Sequence, residues 1–522
     1  MKHFNITGIC HPDNCFMVDT KNKIDQILEM VYKKSYFVIN RPRQYGKTTT
    51  MFLLEQRLLQ SDEYLPIFTS FESLDNSSFE TPEKFTKKFL KILGDDFYVE
   101  QKGYSDLFHN NIAHVEDFDT LSKVLRQILN QIDKKIVLMI DEVDKSSDNQ
   151  IFLHFLGMLR EKYLNAQINK DVTFHSVILA GVHDIKNLKL KIRPDEEKKL
   201  NSPWNIAVNF DIDMSFSAPE IQSMLIDYSD AKNIQMDIVA ISERIYFWTS
   251  GYPFLVSKLC KMIDEGLLPK RENKNWDVND IDSVVNLLLN ETNTIFDDIA
   301  KNLENNKDLF LFINSVVFGL NDFNFTQDDN NINRAFMFGL IDKTEENKIK
   351  IHNKIFEERI TNYFISKAKT SRTNGINPIN TPYIKETGLL DFAKILDKFQ
   401  ETIREKYSKT DALKSDEFLE NDLRLLFLMF LKPILNGYGF CFKEVQTGAE
   451  KRLDIVVVFK NEKFIVELKL WKGEEAHQDG IQQLKDYMKA EAVEKGYMLI
   501  MNKNKKKKFK NWIEEGIYCV MI

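Results

Sequence analysis

The sequence predicts an α/β fold of more than one domain. Three observations predict it. An apolar run, Tyr36-Phe37-Val38-Ile39, leads into the basic stretch RPRQYGKTTT at residues 41–50, and then into MFLLEQRLL, whose apolar residues recur at helical spacing. Farther on, a second apolar run, Lys135 to Ile140, ends in Asp141-Glu142. Beyond residue 440, strand-like runs alternate with short turns and carry acids inside them. At 522 residues the chain is too long for one hydrophobic core, and two to four domains are expected.

Composition narrows the class. Hydrophobic residues make up 43% and charged residues 29%, ordinary values for a globular protein. The formal net charge of −7 excludes a global attraction to nucleic acid, so any such contact needs a local basic patch. No apolar run approaches the ~18 residues of a membrane span. The first residues, MKHFNITGICHPDNC, hold no apolar secretion segment. Five scattered cysteines, Cys10, Cys15, Cys260, Cys441 and Cys519, suit a reducing compartment, so a cytoplasmic protein without membrane attachment is expected. Cys10 and Cys15 lie near His3 and His11, but no further Cys/His pair at finger spacing follows, and zinc is not expected there.

Taken in order, residues 1–35 are a polar lead and a helix, Ile24 to Tyr32. The strand, the loop around Gly46-Lys47-Thr48 and the helix after it form an arrangement that cradles a nucleoside triphosphate. Backbone N–H groups and the positive helix end meet the phosphates. Lys47 is assigned to the β- and γ-phosphates and the Thr48 hydroxyl to Mg²⁺, with Arg43 and Thr49 beside them. The loop departs from G-x-x-x-x-G-K-[ST] at its first position, where Arg41 stands in place of glycine. Leu65 to Phe71 reads as a second strand, and residues 80–131 as mostly helical. Lys135 to Ile140 then brings two acids to a strand end. Asp141 is the candidate to hold Mg²⁺ through water, and Glu142 to orient and deprotonate the attacking water. Each feature alone is weak; together, in this order, they predict ATP or GTP binding and hydrolysis.

Ser176 to Gly181 reads as another strand. After it, His183 or Asp184 is either a γ-phosphate sensor or a helix cap. Arg193 is either a finger offered to a neighbouring subunit or a solvated side chain. Trp204 reads as core or interface packing. Residues 1–212 are read as one domain, and 213–304 as a helical region broken at Ser250-Gly251-Tyr252-Pro253. Residues 305–365 read as a small helical domain with a β wing near Lys348 to Ile351, which either contacts DNA or packs. Residues 366–384, polar with glycine and prolines, read as a linker.

Residues 385–522 carry the second constellation. Helices run through residue 436. Lys443 to Thr447, Arg452 to Phe459 and Lys463 to Leu470 then read as three strands. Glu467 and Lys469 are two apart on one strand and share a face. Asp454 lies on the neighbouring strand, and the register decides whether it joins them. Two carboxylates holding Mg²⁺ beside a lysine are what metal-activated hydrolysis of a phosphodiester requires. Burying such charges inside an apolar hairpin is costly without a partner, and sites that break a local rule are often functional; the alternative is a half-exposed sheet face with a Glu/Lys pair. Glu417 or Glu420 and Gln483 are either further members of this cluster or solvated polar residues of their helices. The basic run Lys503 to Lys510 is a candidate phosphate contact or a solvated loop. Ile517 to Ile522 reads as a closing strand.

With these residues on the page, YFVINRPRQYGKTTT and IVLMIDEVD resemble the AAA-ATPase-like proteins whose phosphate loop reads R-P-R-x-[FY]-G-K-[ST]. That family shares the missing first glycine. The resemblance spans about residues 4–365, including FNITGICHPDNCFMVD, SPWNIA, TSGYPFL and IHNKIFEERI, and it implies that the lead, with Phe16, lies by the nucleotide base. Residues 415–502 resemble PD-(D/E)XK nuclease domains, with Leu453-Asp454 in place of Pro-Asp. The implied architecture is an α/β P-loop ATPase core with a helical lid and a winged-helix-like domain, followed by a restriction-endonuclease-like α/β domain. The implied function is an ATP-gated, Mg²⁺-dependent nuclease with Asp454, Glu467, Lys469 and Gln483 at its centre. Its implied partner is DNA rather than RNA, its state a homo-oligomer, and its setting mobile-element biology or defence. The alternative is a nucleotide-switched sensor or scaffold whose nuclease-like domain does not cut.

Overall fold

A computed structural model describes residues 2–146, 149–182, 204–318, 323–370, 383, 385, 389–407, 420–435, 439–446, 452–459, 462–490, 493, 495–502 and 509–522. His183, Asp184, Arg193, Glu417, Lys503 to Lys508 and most of the segment read as a linker lie outside these residues. The chain divides into two compact units. The first holds Met1–Val285, Gln327–Ile341 and His352–Lys354; the second holds Asn286–Thr326, Asp342–Ile351 and Ile355–Ile522.

The first unit is built on a parallel sheet. Strands β1 (Tyr36–Asn40), β2 (Tyr64–Ser70), β3 (Lys135–Asp141) and β4 (Ser176–Gly181) stand in the order β1-β4-β3-β2. Parallel neighbours need crossovers. Helix α1 (Lys21–Tyr32) precedes β1, and α2 (Lys47–Leu59) connects β1 to β2. Helices α3 (Pro82–Asp95), α4 (Lys102–His109) and α5 (Phe118–Leu129) come between β2 and β3, and α6 (Gln150–Gln167) between β3 and β4. Local chemistry sets the helix starts. Thr81 caps α3 just before Pro82, and Asp117 and Thr120 form a reciprocal capping box on α5. The strands are apolar almost throughout because both sheet faces are covered. Val208 adds a parallel bridge to Phe37 of β1. Trp204 is fully buried and stacks on Tyr36 at 5.9 Å, which settles its role as core packing.

Helices α7 (Ala218–Lys232), α8 (Ile238–Thr249), α9 (Pro253–Lys261) and α10 (Val278–Asn290) follow. The break between α8 and α9 falls where the sequence puts it: Ser250 and Gly251 both take positive φ, and Pro253 opens α9.

Helices α11 (Thr294–Glu304) and α12 (Lys307–Phe318) lie in the second unit, and α13 (Asn330–Met337) in the first. Strands β5 (Ile341–Lys343) and β6 (Ile349–Ile351) pair as a two-stranded sheet. Helix α14 (Lys354–Thr370) runs through the first residues of the stretch read as linker, because SKAKT contains neither proline nor glycine to stop it.

The larger sheet of the second unit has six strands: β7 (Gly439–Gln446), β8 (Arg452–Phe459), β9 (Glu462–Leu470), β10 (Gly496–Met501), β11 (Lys510–Glu514) and β12 (Ile517–Met521). Their order is β11-β12-β10-β9-β8-β7. β7, β8 and β9 form an antiparallel meander, whereas β10 lies parallel to both β9 and β12. Helices α15 (Phe392–Tyr407) and α16 (Glu420–Leu435) share one core with Val466, Leu468, Leu499 and Val520. Helix α17 (Glu474–Ala490) makes the crossover from β9 to β10, and its Gly480 lies against Lys469 and Met498. The three-strand reading of residues 443–470 missed β10 and β11, which lie beyond it.

Candidate functional site

The phosphate loop sits at the C-terminal end of β1. Gln44 and Gly46 both have positive φ, +58° and +79°, and this lets the chain turn sharply into α2. Glycine reaches that conformation without the Cβ penalty. Helix α2 starts at Lys47, so the first N–H groups of α2 lack intrahelical acceptors and face the loop. The Lys47 ammonium donates to the carbonyls of Arg41 at 3.0 Å and Pro42 at 2.9 Å. Burial pulls its pKa down, while Asp144, Asp141 and Glu142 pull it up.

The strand end at β3 meets this loop. The Thr48 hydroxyl donates to Asp141 Oδ2 at 2.5 Å, and Asp141 is 2% exposed. An alcohol and a carboxylate, both hard oxygen donors, are the ligand set Mg²⁺ favours, so the two side chains fit that ion. Glu142 is exposed beside them, with φ +54°, and its N–H donates to Asp141 Oδ1 at 2.8 Å. Its pKa is raised, first by partial burial and then by Asp141. A carboxylate so shifted is a better proton acceptor at neutral pH. Asp144 was not singled out from the sequence. It accepts the Val182 N–H at the end of β4, and a Cβ on Gly181 would fall 2.7 Å from its Oδ1. The signal was there in IDEVD, where Asp144 is a third acid three residues after Asp141.

The departure at Arg41 has a structural reason. Its guanidinium donates to the carbonyls of Ile212 at 2.7 Å and Phe210 at 3.4 Å and lies over the Phe210 ring. Arg41 N–H donates to Gly181 at 3.2 Å. A second support comes from far along the chain. Tyr252 donates to the Arg43 carbonyl at 2.5 Å, and the rings of Tyr45, Tyr252 and His352 pack edge to face. Tyr45 Oη lies 3.3 Å from His352 Nε2.

The lead does lie beside α2, but through other residues than Phe16. Cys10 N–H donates to Thr49 Oγ1 at 3.2 Å, and the His11 ring is 5.5 Å from that of Phe52. Phe16 is 3% exposed and packs with Phe4 and Tyr228, which leaves it no face for a base.

In the second unit, Glu467 is 1% exposed and its Oε1 lies 2.8 Å from Lys469 Nζ. The β8–β9 register pairs Ile455 with Val466, so one step further the register position opposite Glu467 is Asp454. Directly opposed residues of antiparallel strands share a face. The Asp454 and Glu420 side chains lie outside the described residues. Gln483 is on α17, and its amide donates to Tyr487 Oη at 2.9 Å. Glu467 supplies one carboxylate, a hard oxygen donor of the kind Mg²⁺ takes. Among the described residues no helix is long and apolar enough to cross a membrane.

Comparison with known proteins adds to this geometry. Residues 7–358 match the family described as AAA-like domain. Residues 390–505 match a domain of unknown function (DUF8371), which assigns them no activity. Curated proteins give no match. Among solved structures, the Walker-type ATPase of Pyrococcus abyssi is similar at a TM-score of 0.47 and 11% identity, over 68% of this chain and 99% of that one. The ORC2 protein of Aeropyrum pernix is similar at 0.40 and 12%, over 70% and 98%. The RuvB branch migration motor of Thermotoga maritima is similar at 0.33 and 12%, over 69% and 96%.

Proposed function

The chain belongs to the AAA-like domain family of P-loop ATPases, and we propose that it is an ATP-gated, metal-dependent DNA endonuclease of a mobile-element or defence type. In this reading residues 1–212 are the ATPase core, 213–304 its lid, 305–365 a winged-helix-like domain and 385–522 a nuclease-like domain joined by a linker at 366–384. The partners are DNA and further copies of the chain.

In the ATPase core, Lys47 leaves the loop carbonyls for the β- and γ-phosphates, while Gly46, Thr49 and the N–H groups at the start of α2 cradle them. Arg43 lines the same loop. Thr48 and Asp141 hold Mg²⁺, which when bound neutralises charge on the phosphate oxygens. Glu142 accepts the proton of the attacking water.

In the nuclease-like domain, Asp454 and Glu467 hold the divalent ion, which when bound lowers the pKa of a water and offsets charge on the scissile phosphate. Lys469 orients that water, and Gln483 steadies the cluster from α17. The observation that carries this reading is the charged pair Glu467–Lys469, held on a largely buried strand with Asp454 at the register position opposite Glu467. The pair breaks the apolar pattern of its strand, and sites that break a local rule are often functional.

The test is cleavage of single- and double-stranded DNA and RNA with Mg²⁺ or Mn²⁺, with and without ATP. Wild type is expected to cut DNA faster with ATP, and Glu467→Ala to lose at least ~100-fold. Intact substrate in every condition overturns the nuclease reading. One observation favours a nucleotide-switched sensor or scaffold instead: Glu467 already has Lys469 as its counter-cation at 2.8 Å. That reading expects wild-type DNA binding that responds to nucleotide, without cleavage.

A further inference from the structure

A second cluster lies on the same face of the larger sheet, away from Glu467. Paired residues on neighbouring strands point to one side. The registers Glu467↔Met498, Met498↔Cys519 and Cys519↔Trp512 therefore put four side chains in one row from β9 to β11. Glu467 and Cys519 are two strand spacings apart, roughly 10 Å. Helix α17 covers this face. Its first turns bring His477 to Cys519 and to Glu514 of β11. The ligand atoms of these three residues all lie within 4.8 Å of one another.

We propose that His477, Glu514 and Cys519 form a transition-metal site, taking Zn²⁺ as its natural class of ion. An imidazole, a carboxylate and a thiol are the mixed N, O and S donors that zinc accepts in tetrahedral sites, with water in the fourth position. Ligands about 2.0–2.3 Å from a tetrahedral zinc stand about 3.3–3.8 Å apart. His477 Nε2 is now hydrogen-bonded to Glu514 Oε2 at 3.0 Å, so a bound ion replaces that bond and moves the two atoms apart by a few tenths of an ångström.

The surroundings are those of an oriented ligand set. Trp512 Nε1 donates to Glu514 Oε2 at 2.9 Å, and Gln478 Nε2 donates to Oε1 at 2.9 Å. Outer donors of this kind fix a ligating carboxylate and tune it. The rings of Trp471 and Trp512 flank His477 at 5.7 and 5.8 Å, and the His477 and Cys519 side chains are buried. The thiolate is the form of cysteine that binds metal, so binding forms a metal–sulfur bond and releases the thiol proton to the buffer. The bound ion would pin the start of α17 to the edge hairpin β11–β12.

The experiment uses the full-length protein, stripped with chelator and free of nucleotide, titrated with Zn²⁺ and with Co²⁺ as the coloured probe. One equivalent is expected to bind, with a thiolate-to-cobalt charge-transfer band and release of a proton. At 100-fold excess over Kd the second unit is expected to melt about 5 °C higher. Cys519→Ser is expected to abolish the band, while Glu467→Ala and a Cys10→Ser/Cys15→Ser double variant keep it. Glu514→Gln, partly exposed and of the same shape, is expected to weaken binding about 10-fold or more while the fold survives. A folded wild type that shows no band overturns the proposal. So does a band that survives Cys519→Ser, or an affinity unchanged by Glu514→Gln. The Glu467→Ala arm separates this site from the nuclease reading, because either fails alone.

Discussion

Glu142 keeps a left-handed backbone, φ +54°, at the strand end that meets the phosphate loop. For an ordinary L-residue that conformation costs about 1 kcal/mol or more. Its neighbour Asp141 accepts its N–H and also the Thr48 hydroxyl, while the Glu142 residue itself is exposed. Glu142→Gln is expected to keep ATP affinity and lose turnover by at least ~100-fold, measured by phosphate release. Wild-type turnover is expected to fall as the medium is acidified, with the falling limb above the ordinary carboxylate range, since burial and Asp141 raise this pKa. Glu55, on α2, makes a separate pH prediction. It is buried, Tyr98 Oη donates to it at 3.0 Å, and burial pushes its pKa up to about 7. The folded state thus holds a proton that the unfolded chain has lost above its ordinary value. The stability contributed is full below about 4.5 and declines as the pH rises to about 7. Glu55→Gln is expected to flatten that decline and to raise stability above pH 7 by on the order of 1 kcal/mol, measured by urea denaturation.

At the level of elements, the phosphate loop is held by pieces of chain that lie far away in sequence. Gly339, just after α13, has φ +69°, and a Cβ there would fall 2.6 Å from Pro42 Cγ. Gly339→Ala is therefore expected to destabilise the first unit by about 1–3 kcal/mol and to weaken ATP binding, read by thermal melting and nucleotide titration. None of this was legible beforehand. The strand–loop–helix around Lys47 announces itself because a buried parallel strand, a glycine turn and an amphipathic helix each leave a local pattern. The clasp by Tyr252, Gly339 and His352 leaves none, for it depends on long-range packing alone. The same contrast explains Phe16. The lead can be matched as a segment, but only tertiary structure tells which of its residues is turned inward.

For the whole molecule, two sheets of different construction share one polypeptide. The first is all parallel; the second mixes a meander with parallel crossovers. The first was the easier to read, since its strands are short apolar runs with a motif at their ends. In the second, the pair Glu467 and Lys469 stood out because charge inside an apolar run breaks the pattern. Cys519 did not, because a cysteine among apolar residues looks like any small core residue. Its neighbours His477 and Glu514 come from other elements, and only the fold assembles them. If the two units act as one machine, Lys47→Ala is expected to remove ATP turnover and the ATP dependence of cleavage together, by at least ~100-fold each. Cleavage that persists at the wild-type ATP-stimulated rate in that variant would show two independent activities.

Arg41 occupies the place where a textless consensus would put the smallest residue, and it grips the backbone at Phe210 and Ile212. Orthodoxy would therefore be a loss here. Arg41→Gly brings the loop closer to the common pattern on paper, yet it cuts the tether between the phosphate cradle and the strand-like segment beside β1. Arg41 is an anchor at the mouth of the loop, and replacing it by glycine should leave the nucleotide held more loosely than before.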